Sequence, residues 1–288
     1  MTGPSNLGIA APPDEIVDAI LARALAEDLG DGDVTTDNTI PTSAMLTGDF
    51  LGKEAGVLAG LAVAQRAFAL LDPDIRLVAG IGDGDAVRPG DVVATVTGHG
   101  RAILSGERVA LNFLQRMSGI ATATRRYVEA VRGTRAVILD TRKTAPGLRA
   151  LDKWAVRLGG GQNHRFGLFD MALIKDNHIA AVGSIAEAVR RVREGDPRRR
   201  LIEVEVTNLG QLREALGLAV DRILLDNMSP EEMRRAVEIA AGRIPLEASG
   251  GINLESVAAV AASGVDYISV GALTHSVKAL DISLDLHK

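Results

Sequence analysis

The sequence predicts an α/β protein of two domains, an N-terminal α+β domain and a C-terminal incomplete (open) α/β barrel of six or seven parallel strands. In the C-terminal half, short β-branched apolar runs alternate with segments that begin with helix-capping residues, which is typical of βα units. In the N-terminal half, short alternating runs are separated by glycines, which indicates a mostly antiparallel sheet. The chain has 288 residues, 47% of them apolar, and is therefore long enough to bury two cores.

The N-terminal half begins with an amphipathic helix over Pro13–Leu29, and a second helix is predicted over Gly60–Leu71. We interpret the acidic segment Asp28–Asp37 between them as a turn. Four glycine-punctuated runs are the candidate strands of this half: Leu46–Lys53, Ile75–Ala79, Asp85–Val87 and Val92–Thr97. A long helix over Ser105–Val131 connects the two halves, and Gly119 is a candidate break within it.

In the C-terminal half, six apolar runs are the candidate strands: Ala136–Asp140, Met171–Lys175, Leu201–Val206, Arg222–Asp226, Ile244–Ser249 and Tyr267–Val270. These runs are apolar on both faces, so we favour closure towards a barrel over the alternative, an open doubly wound sheet. A complete eight-stranded barrel takes about 250 residues. This half is shorter, and we therefore expect six or seven strands.

Four polar residues are the predicted N-caps of the helices between these strands: Ser184, Asn208, Ser229 and Asn253. Glu187 and Glu232 complete capping boxes with the two serines, and Pro230 suits the first helical position because its missing N–H costs nothing there. Four glycines stand where the helices are expected to end: Gly195, Gly217, Gly242 and Gly264.

The composition excludes several classes of protein. The absence of cysteine excludes disulfides, thiolate zinc sites and cysteine nucleophiles, and no HExxH helix offers an alternative zinc site. The longest uncharged apolar run, Ala55–Ala64, is about half the length of a membrane span. The first fourteen residues lack the features of a secretory signal. We therefore expect a cytoplasmic protein without a membrane segment.

Charge is unevenly distributed along the chain. The net charge is -5, which argues against a nucleic-acid partner. Between Arg132 and Lys175, however, nine basic and three acidic residues give +6, while the other 23 basic and 34 acidic residues give -11. A basic segment in an acidic protein is suited to binding small anions.

Polar residues follow every predicted strand of the barrel, where functional groups of such barrels lie. Arg142, Lys143, Arg165 and Lys175, with His164 beside them, form a cationic cluster suited to carboxylates and phosphates. The alternative is charge on a solvated loop or helix. That interpretation suits Arg149, Lys153 and Arg157, which recur at helical spacing, better than it suits the cluster.

Two carboxylates, Glu205 and Asp226, end neighbouring strands and suit either the hydroxyls of a sugar or a hard cation such as Mg2+. Glu203 has the same parity as Glu205 and could instead be a deeper, supporting residue. The glycine-rich turns after the last two strands suit phosphate binding: Ser249-Gly250-Gly251 and Val270-Gly271-Ala272, with His275 one turn further on. Gly159-Gly160-Gly161 is a second candidate backbone nest for an anion.

Several motifs together resemble the quinolinate phosphoribosyltransferase family, also called carboxylating nicotinate-nucleotide pyrophosphorylase. In the C-terminal half they are Asp140–Thr144, Gly159–Arg165, Leu173–His178, Glu203–Glu205, Leu225–Asn227, Ser249–Gly251 and Val270–His275. In the N-terminal half they are Glu27–Leu29, Gly32–Thr36 and Glu107–Arg108. The resemblance covers nearly the whole chain in order.

The resemblance implies an enzyme of NAD biosynthesis, a pentosyltransferase that joins quinolinate to phosphoribosyl pyrophosphate and releases CO2 and pyrophosphate to give nicotinate mononucleotide. It implies an N-terminal α/β sandwich over residues 1–118, the catalytic open barrel over 119–277, and a tail, 278–288, that returns to the first domain. It also implies a homodimer in which Arg108 enters the partner's active site, and Mg2+ as cofactor.

Carried onto this sequence, the family's substrate-binding positions are Arg108, Thr141, Arg142, Lys143, His164, Arg165, Lys175, Glu205, Asp226, Ser249, Gly250, Gly251, Val270, Gly271, Ala272 and His275. The expected catalytic residues are Lys143, Lys175, Glu205 and Asp226, and the last two are the expected metal ligands. Alternatives are a related phosphoribosyltransferase acting on another pyridine or base, a Schiff-base barrel aldolase using Lys175, and a non-catalytic anion-binding relative.

Overall fold

The computed structural model describes residues 10–287. The elements up to Ala130 are α1 (Asp14–Leu29), α2 (Val34–Thr39), β1 (Met45–Gly52), β2 (Gly56–Val57), α3 (Leu61–Leu71), β3 (Arg76–Ala79), β4 (Ala86–Val87), β5 (Val92–His99) and α4 (Gly100–Ala130). The elements after it are β6 (Val137–Leu139), α5 (Arg149–Leu158), β7 (Ala172–Ile174), α6 (Asp176–Val182), α7 (Ile185–Gly195), β8 (Ile202–Val206), α8 (Leu209–Leu216), β9 (Arg222–Asp226), α9 (Pro230–Ala240), β10 (Leu246–Ser249), α10 (Val257–Ala262), β11 (Tyr267–Ser269), α11 (Ala272–His275) and β12 (Ile282–Leu286).

The chain divides into two compact units. The first comprises the chain up to Arg125, Thr144–Gly160 and the segment from Leu273 onwards. The second comprises Arg126–Lys143 and Gly161–Ala272, and it contains the parallel sheet. The predicted domain limits at residues 118 and 277 stay a prediction.

The first unit is built on an antiparallel sheet with the strand order β12-β1-β5-β3, and β2 pairs separately with β4. The helix α3 packs on this sheet, where the ring of Phe68 meets that of Phe50 edge-on at 6.2 Å between centroids. Arg66 of α3 donates two hydrogen bonds, of 2.5 and 2.6 Å, to Asp18 of α1. The predicted α+β arrangement is confirmed, and β12 adds a strand that the alternation pattern did not predict.

The helix α4 runs without interruption through Gly119, so the expected break there is wrong. A Cβ atom at this position would lie 2.1 Å from the carbonyl oxygen of Lys278. The glycine therefore permits a close approach of the C-terminal segment to α4.

In the second unit, six parallel strands have the order β6-β11-β10-β9-β8-β7. From β8 to β11 each strand lies beside the one that precedes it in the chain, and β11 then pairs with β6. This is the order of a barrel opened between β6 and β7, whereas a doubly wound sheet reverses direction at a switch point. The prediction of an open barrel with six or seven strands is confirmed with six.

The predicted caps at Ser184, Asn208 and Ser229 are confirmed, and each side chain accepts a hydrogen bond from the first turn of its helix. The capping box is confirmed at Ser229 with Glu232, whereas the side chain of Glu187 accepts from Arg190 and Arg191 instead. The fourth cap was placed too early. Asn253 accepts hydrogen bonds from the backbone N–H groups of Glu255 and Ser256, which builds a turn before α10 begins.

Two further expectations need correction. The segment Asp28–Asp37 is not only a turn, because Asp33 caps the short helix α2 through the N–H of Thr36. Lys153 is not on a helix surface. It is 2% exposed, since α5 is buried on most of its circumference, and the neighbouring Asp152 accepts two 2.9 Å hydrogen bonds from Arg116 of α4.

Within residues 10–287, none of the helices combines the length and the apolarity that crossing a membrane requires. The expectation about a secretory signal concerns the first fourteen residues, and residues 1–9 lie outside the described part of the chain.

Replacing Gly119 by alanine should destabilise the protein by about 2 kcal/mol or more, because the added methyl group overlaps the backbone at Lys278. Urea unfolding of the variant and wild type measures this difference. Gly195→Ala is the matched control, since a Cβ there meets nothing within 4 Å and alanine favours the helix end. Equal unfolding midpoints for Gly119→Ala and wild type would contradict the packing described here.

Candidate active site

The parallel register places alternate side chains of the six-stranded sheet on one face. Glu205 of β8 is opposite Leu224 of β9, and Leu224 is opposite Glu247 of β10. Side chains two residues apart in a strand share a face. The polar residues that share the inner face are therefore Lys175, Glu203, Glu205, Arg222, Asp226, Glu247, Ser249, Tyr267 and Ser269.

His164 lies across this face. Its Nε2 is 2.9 Å from Oε2 of Glu203 and 3.4 Å from Oε1 of Glu247, and all three side chains are buried. The two carboxylates belong to β8 and β10, which are separated by β9. One imidazole can contact both only because the sheet is concave on this side.

The two glutamates differ in how they are held. Glu247 accepts a 2.9 Å hydrogen bond from Arg222 at Oε2 and another from the hydroxyl of Ser269 at Oε1. The guanidinium of Arg222 lies 4.1 Å from the ring centroid of Tyr267. Oε1 of Glu203 is buried without a hydrogen-bond partner among residues 10–287. We call His164, Glu203, Arg222, Glu247 and Ser269 the buried cluster.

Further contacts, at the backbone of His164 and at Nδ1 of its ring, determine the orientation of the ring. Its backbone N–H donates to Asp140 at 2.9 Å, and the same carboxylate accepts from Asn163. The backbone N–H of Arg165 donates to Nδ1 of His164 at 2.7 Å. Because this N–H points at Nδ1, the neutral form of the ring carries its single proton on Nε2, facing the two glutamates.

The buried cluster retains protons that isolated groups would release. Burial raises the pKa of Glu203 to about 7. Burial acts to lower the pKa of His164, but its hydrogen bonds with Glu203 and Glu247 outweigh this effect and raise that pKa to about 9. His164, Glu203 and Glu247 each offer an atom that could hold a cation, but Glu247 is already bound by Arg222 and Ser269, and a metal ion would have to displace the proton from Nε2. The arrangement fits a shared proton better than a metal ion.

Two arginines lie close together beside this cluster. Burial lowers the pKa of Arg165, and the positive charge of Arg142 lowers it further, while Glu203 and Asp170 offset part of the effect. Nη1 of Arg165 donates to the carbonyl of Met171 at 3.1 Å. Two half-buried like charges favour the binding of an anion, because an anion relieves their repulsion.

Lys175 and Glu205 end neighbouring strands and form an ion pair of 3.2 Å between Nζ and Oε2. The backbone N–H of Lys175 donates to Nδ1 of His178, which orders the start of α6. Lys143 is exposed beyond the end of β6, where its backbone N–H donates to the hydroxyl of Thr141 at 3.0 Å. These residues place two lysines at the same edge of the sheet.

The loops after β9 and β10 are hydrogen-bonded to each other and closely packed. Asn227 adopts a left-handed backbone (φ 54°), donates its side-chain amide to Asp226 at 2.8 Å and donates its backbone N–H to the carbonyl of Ser249. A Cβ on Gly250 would lie 2.2 Å from Oδ1 of Asn227, so only glycine fits there. Glu205 and Asp226 therefore present carboxylate oxygens at the ends of adjacent strands, a donor set that suits Mg2+.

Known proteins match this chain over most of its length. The sequence models of the quinolinate phosphoribosyl transferase N-terminal and C-terminal domains match residues 33–118 and 120–285. A probable nicotinate-nucleotide pyrophosphorylase (carboxylating) of Bacillus subtilis is 46% identical over 93% of this chain and 92% of its own length. The chain belongs to the quinolinate phosphoribosyltransferase family.

Further relatives agree with this membership. The nicotinate-nucleotide pyrophosphorylase (carboxylating) of Mycobacterium leprae is 49% identical over 92% of this chain and 95% of its own length. The crystal structure of NadC from Streptococcus pyogenes superposes with a TM-score of 0.93, at 43% identity, over 96% of this chain and 99% of that one.

In this member of the family, most predicted site residues lie at the carboxyl ends of the parallel strands or in the loops that follow. They are Thr141, Arg142, Lys143, Lys175, Glu205, Asp226, Ser249, Gly250, Gly251, Val270, Gly271 and Ala272. His164 and Arg165 lie instead in the segment between α5 and β7. The other two belong to the first unit: Arg108 is exposed on α4, and His275 ends α11 beside Ser276.

Sequence reasoning missed Arg222, Glu247, Ser269 and Asp140 as parts of the site. A signal existed for Glu247, because it is a single acid in the otherwise apolar start of β10 and has the same parity as Ser249. Arg222 was interpreted only as the first residue of a strand. Its contact with Glu247 depends on the register between β9 and β10, which no local pattern specifies.

The wild-type protein should lose stability as the pH rises from about 6.5 to about 9, by about 3 kcal/mol. The folded His164 has a raised pKa, so its stabilisation is complete below the unfolded value of 6.5 and is lost as the pH passes the folded value. The raised pKa of Glu203 also makes the protein less stable as the pH rises, but over a lower range, up to about 7. Urea unfolding at a series of pH values measures this slope.

Glu203→Gln should flatten that slope, because it removes one titrating group and one of the two carboxylates that favour the protonated ring. Glu255→Gln removes an exposed carboxylate and is the control that should follow wild type. Parallel curves for wild type and Glu203→Gln would disprove the proton-retaining cluster.

Proposed function

We propose that this protein transfers the phosphoribosyl group of phosphoribosyl pyrophosphate to quinolinate, with loss of CO2, and releases nicotinate mononucleotide and pyrophosphate. The observation that carries the proposal is the pair of half-buried arginines, Arg142 and Arg165, whose charges repel each other beside the open ends of the strands. Quinolinate is a dicarboxylate, and arginine forks bind carboxylates in a bidentate manner. Membership of the family supports the same substrate.

Each group of residues then has a role. Arg142, Arg165 and Lys175, with Arg108 of a second subunit, bind the carboxylates of quinolinate, and Thr141, Lys143 and His164 line the same pocket. The turns Ser249-Gly250-Gly251 and Val270-Gly271-Ala272, with His275, bind the phosphates through backbone N–H groups and a helix start. Glu205 and Asp226 bind the ribose hydroxyls and the metal.

The chemistry needs positioning and charge stabilisation more than a nucleophile. The pyridine nitrogen forms a bond to C1 of the ribose as the bond to pyrophosphate breaks, and pyrophosphate leaves with the electron pair. A carboxylate of Glu205 or Asp226 stabilises the positive charge that develops on the ribose. Lys143 and Lys175 balance charge on the leaving group. Glu205 and Asp226 would hold Mg2+, which would neutralise further charge on the pyrophosphate.

Loss of CO2 follows from the charge on the ring. Once its nitrogen is alkylated, the pyridine ring is cationic and accepts the electron pair left by the departing carboxylate, and a proton then adds at that carbon. Arg142 and Arg165 hold the other carboxylate and thereby orient the ring for this step. The absence of cysteine fits both this mechanism and a reducing, cytoplasmic location.

The aldolase alternative has less support. A Schiff-base lysine must be a neutral amine, which burial favours, but the side chain of Lys175 is 47% exposed and pairs with Glu205. Borohydride with carbonyl compounds should therefore fail to label Lys175.

Arg142→Ala and Lys175→Ala should each reduce kcat/KM for quinolinate by about 100-fold or more, because each leaves substrate charge without its partner. The assay supplies quinolinate, phosphoribosyl pyrophosphate and Mg2+ and measures nicotinate mononucleotide and CO2. Arg191→Ala, an exposed cation on α7 that pairs with Glu187, is the control and should retain wild-type turnover. Full turnover by both site variants would refute the assignment.

A subunit exchange tests whether Arg108 acts across a homodimer. Arg108→Ala and Lys175→Ala proteins should each be inactive alone, and a refolded equimolar mixture should regain about a quarter of wild-type activity, because half of the dimers then contain one intact site of two. A mixture that stays inactive would show that Arg108 and Lys175 act within one chain.

A further inference from the structure

A continuous series of contacts connects Arg222 to Arg165 through the interior of the second unit. We propose that Glu247, held by Arg222, is a positioning residue that orients the ring of His164 and, through it, the carboxylate-binding Arg165. The inference rests on the proposed function, because it concerns the site that binds quinolinate.

The first step is the immobilisation of Glu247. Its side chain is fully buried, and both of its oxygens are bound from neighbouring strands, Oε2 by Arg222 of β9 and Oε1 by Ser269 of β11. Arg222 is itself packed against Tyr267. A carboxylate held on both oxygens presents Oε1 to His164 in one orientation.

The second step is the orientation of His164. Its Nε2 faces the glutamates of β8 and β10, and its Nδ1 accepts the backbone N–H of Arg165. A ring contacted on both nitrogens cannot rotate or change tautomer without losing a contact. If Glu247 no longer faces Nε2, only Glu203 remains on that side, and the preference for the proton on Nε2 weakens.

The third step reaches the substrate. The backbone N–H of Arg165 donates to the ring of the preceding residue, His164, and the guanidinium of Arg165 donates to the carbonyl of Met171. These contacts hold both the backbone and the guanidinium of Arg165 in place. A change in the ring therefore displaces the backbone from which the guanidinium extends, and bidentate binding of a carboxylate is sensitive to such displacements.

Two variants remove the orienting contact in different ways. Glu247→Leu deletes the carboxylate, and Arg222→Met leaves Glu247 without its cation. Both should raise KM and Kd for quinolinate by about tenfold or more while KM for phosphoribosyl pyrophosphate stays within about twofold of wild type. Arg222→Lys keeps a cation beside Glu247 and should restore most of the affinity. If Glu247→Leu fails to fold, the Arg222 pair carries the test.

The ring itself provides a readout that needs no substrate. The chain has five histidines, so the 15N signals of His164 can be assigned by their loss in His164→Gln. At a pH above about 9, where the ring is neutral, wild type should show the proton on Nε2, and Arg222→Met should shift the signals towards a mixture of tautomers. Asp221→Asn is the matched control, because Asp221 accepts from the N–H of Ile202 in the same unit without touching the buried cluster.

The outcomes separate the two proposals. A selective loss of quinolinate affinity with altered ring signals supports the positioning role. An unchanged KM for quinolinate in Glu247→Leu and Arg222→Met overturns the positioning role and leaves the proposed function intact. The same holds if these variants lose affinity equally for quinolinate and phosphoribosyl pyrophosphate and Asp221→Asn shows the same loss. If wild type does not use quinolinate, the proposed function fails, and the ring signals alone decide whether Glu247 orients His164.

Discussion

A proton-bearing imidazole between two buried carboxylates is the interaction on which the interior of the second unit depends. Removing a carboxylate from water is costly unless a partner compensates for the lost hydration. Here the compensation for Glu203 and Glu247 comes from His164, Arg222 and Ser269, which reside on a loop, on β9 and on β11. These three partners meet the two carboxylates only when the open barrel is assembled in its register.

This cluster also explains how one sheet face serves both stability and binding. Side chains two residues apart on a strand lie at successive levels of the same face. Glu203 and Glu247 occupy the buried level, whereas Glu205 and Ser249 occupy the level nearer the carboxyl ends, where partial exposure makes them available to a ligand. The buried level is closed mainly by internal contacts, whereas cationic residues surround the open level.

Local signals predicted the elements whose causes are local. The six barrel strands follow from short β-branched runs, and Ser184, Asn208 and Ser229 cap their helices through groups within three residues. The errors share a different cause. Gly119 is tolerated in α4 because the distant segment at Lys278 approaches it. Lys153 is buried because α5 packs within the first unit, and β12 is a strand because β1 offers it an edge.

The sequence by itself determined the alternation of strands and helices, the polarity of the strand ends, the concentration of positive charge and the motifs that resemble the family. Periodicity also placed Glu203 and Glu205 on one side of a strand. Only the tertiary structure decided which carboxylates are buried and what neutralises them. The partners of Glu247 lie 25 and 22 residues away, on β9 and β11. A pattern within one strand specifies the side on which a residue points, whereas its neighbours depend on the register and curvature of the assembled sheet.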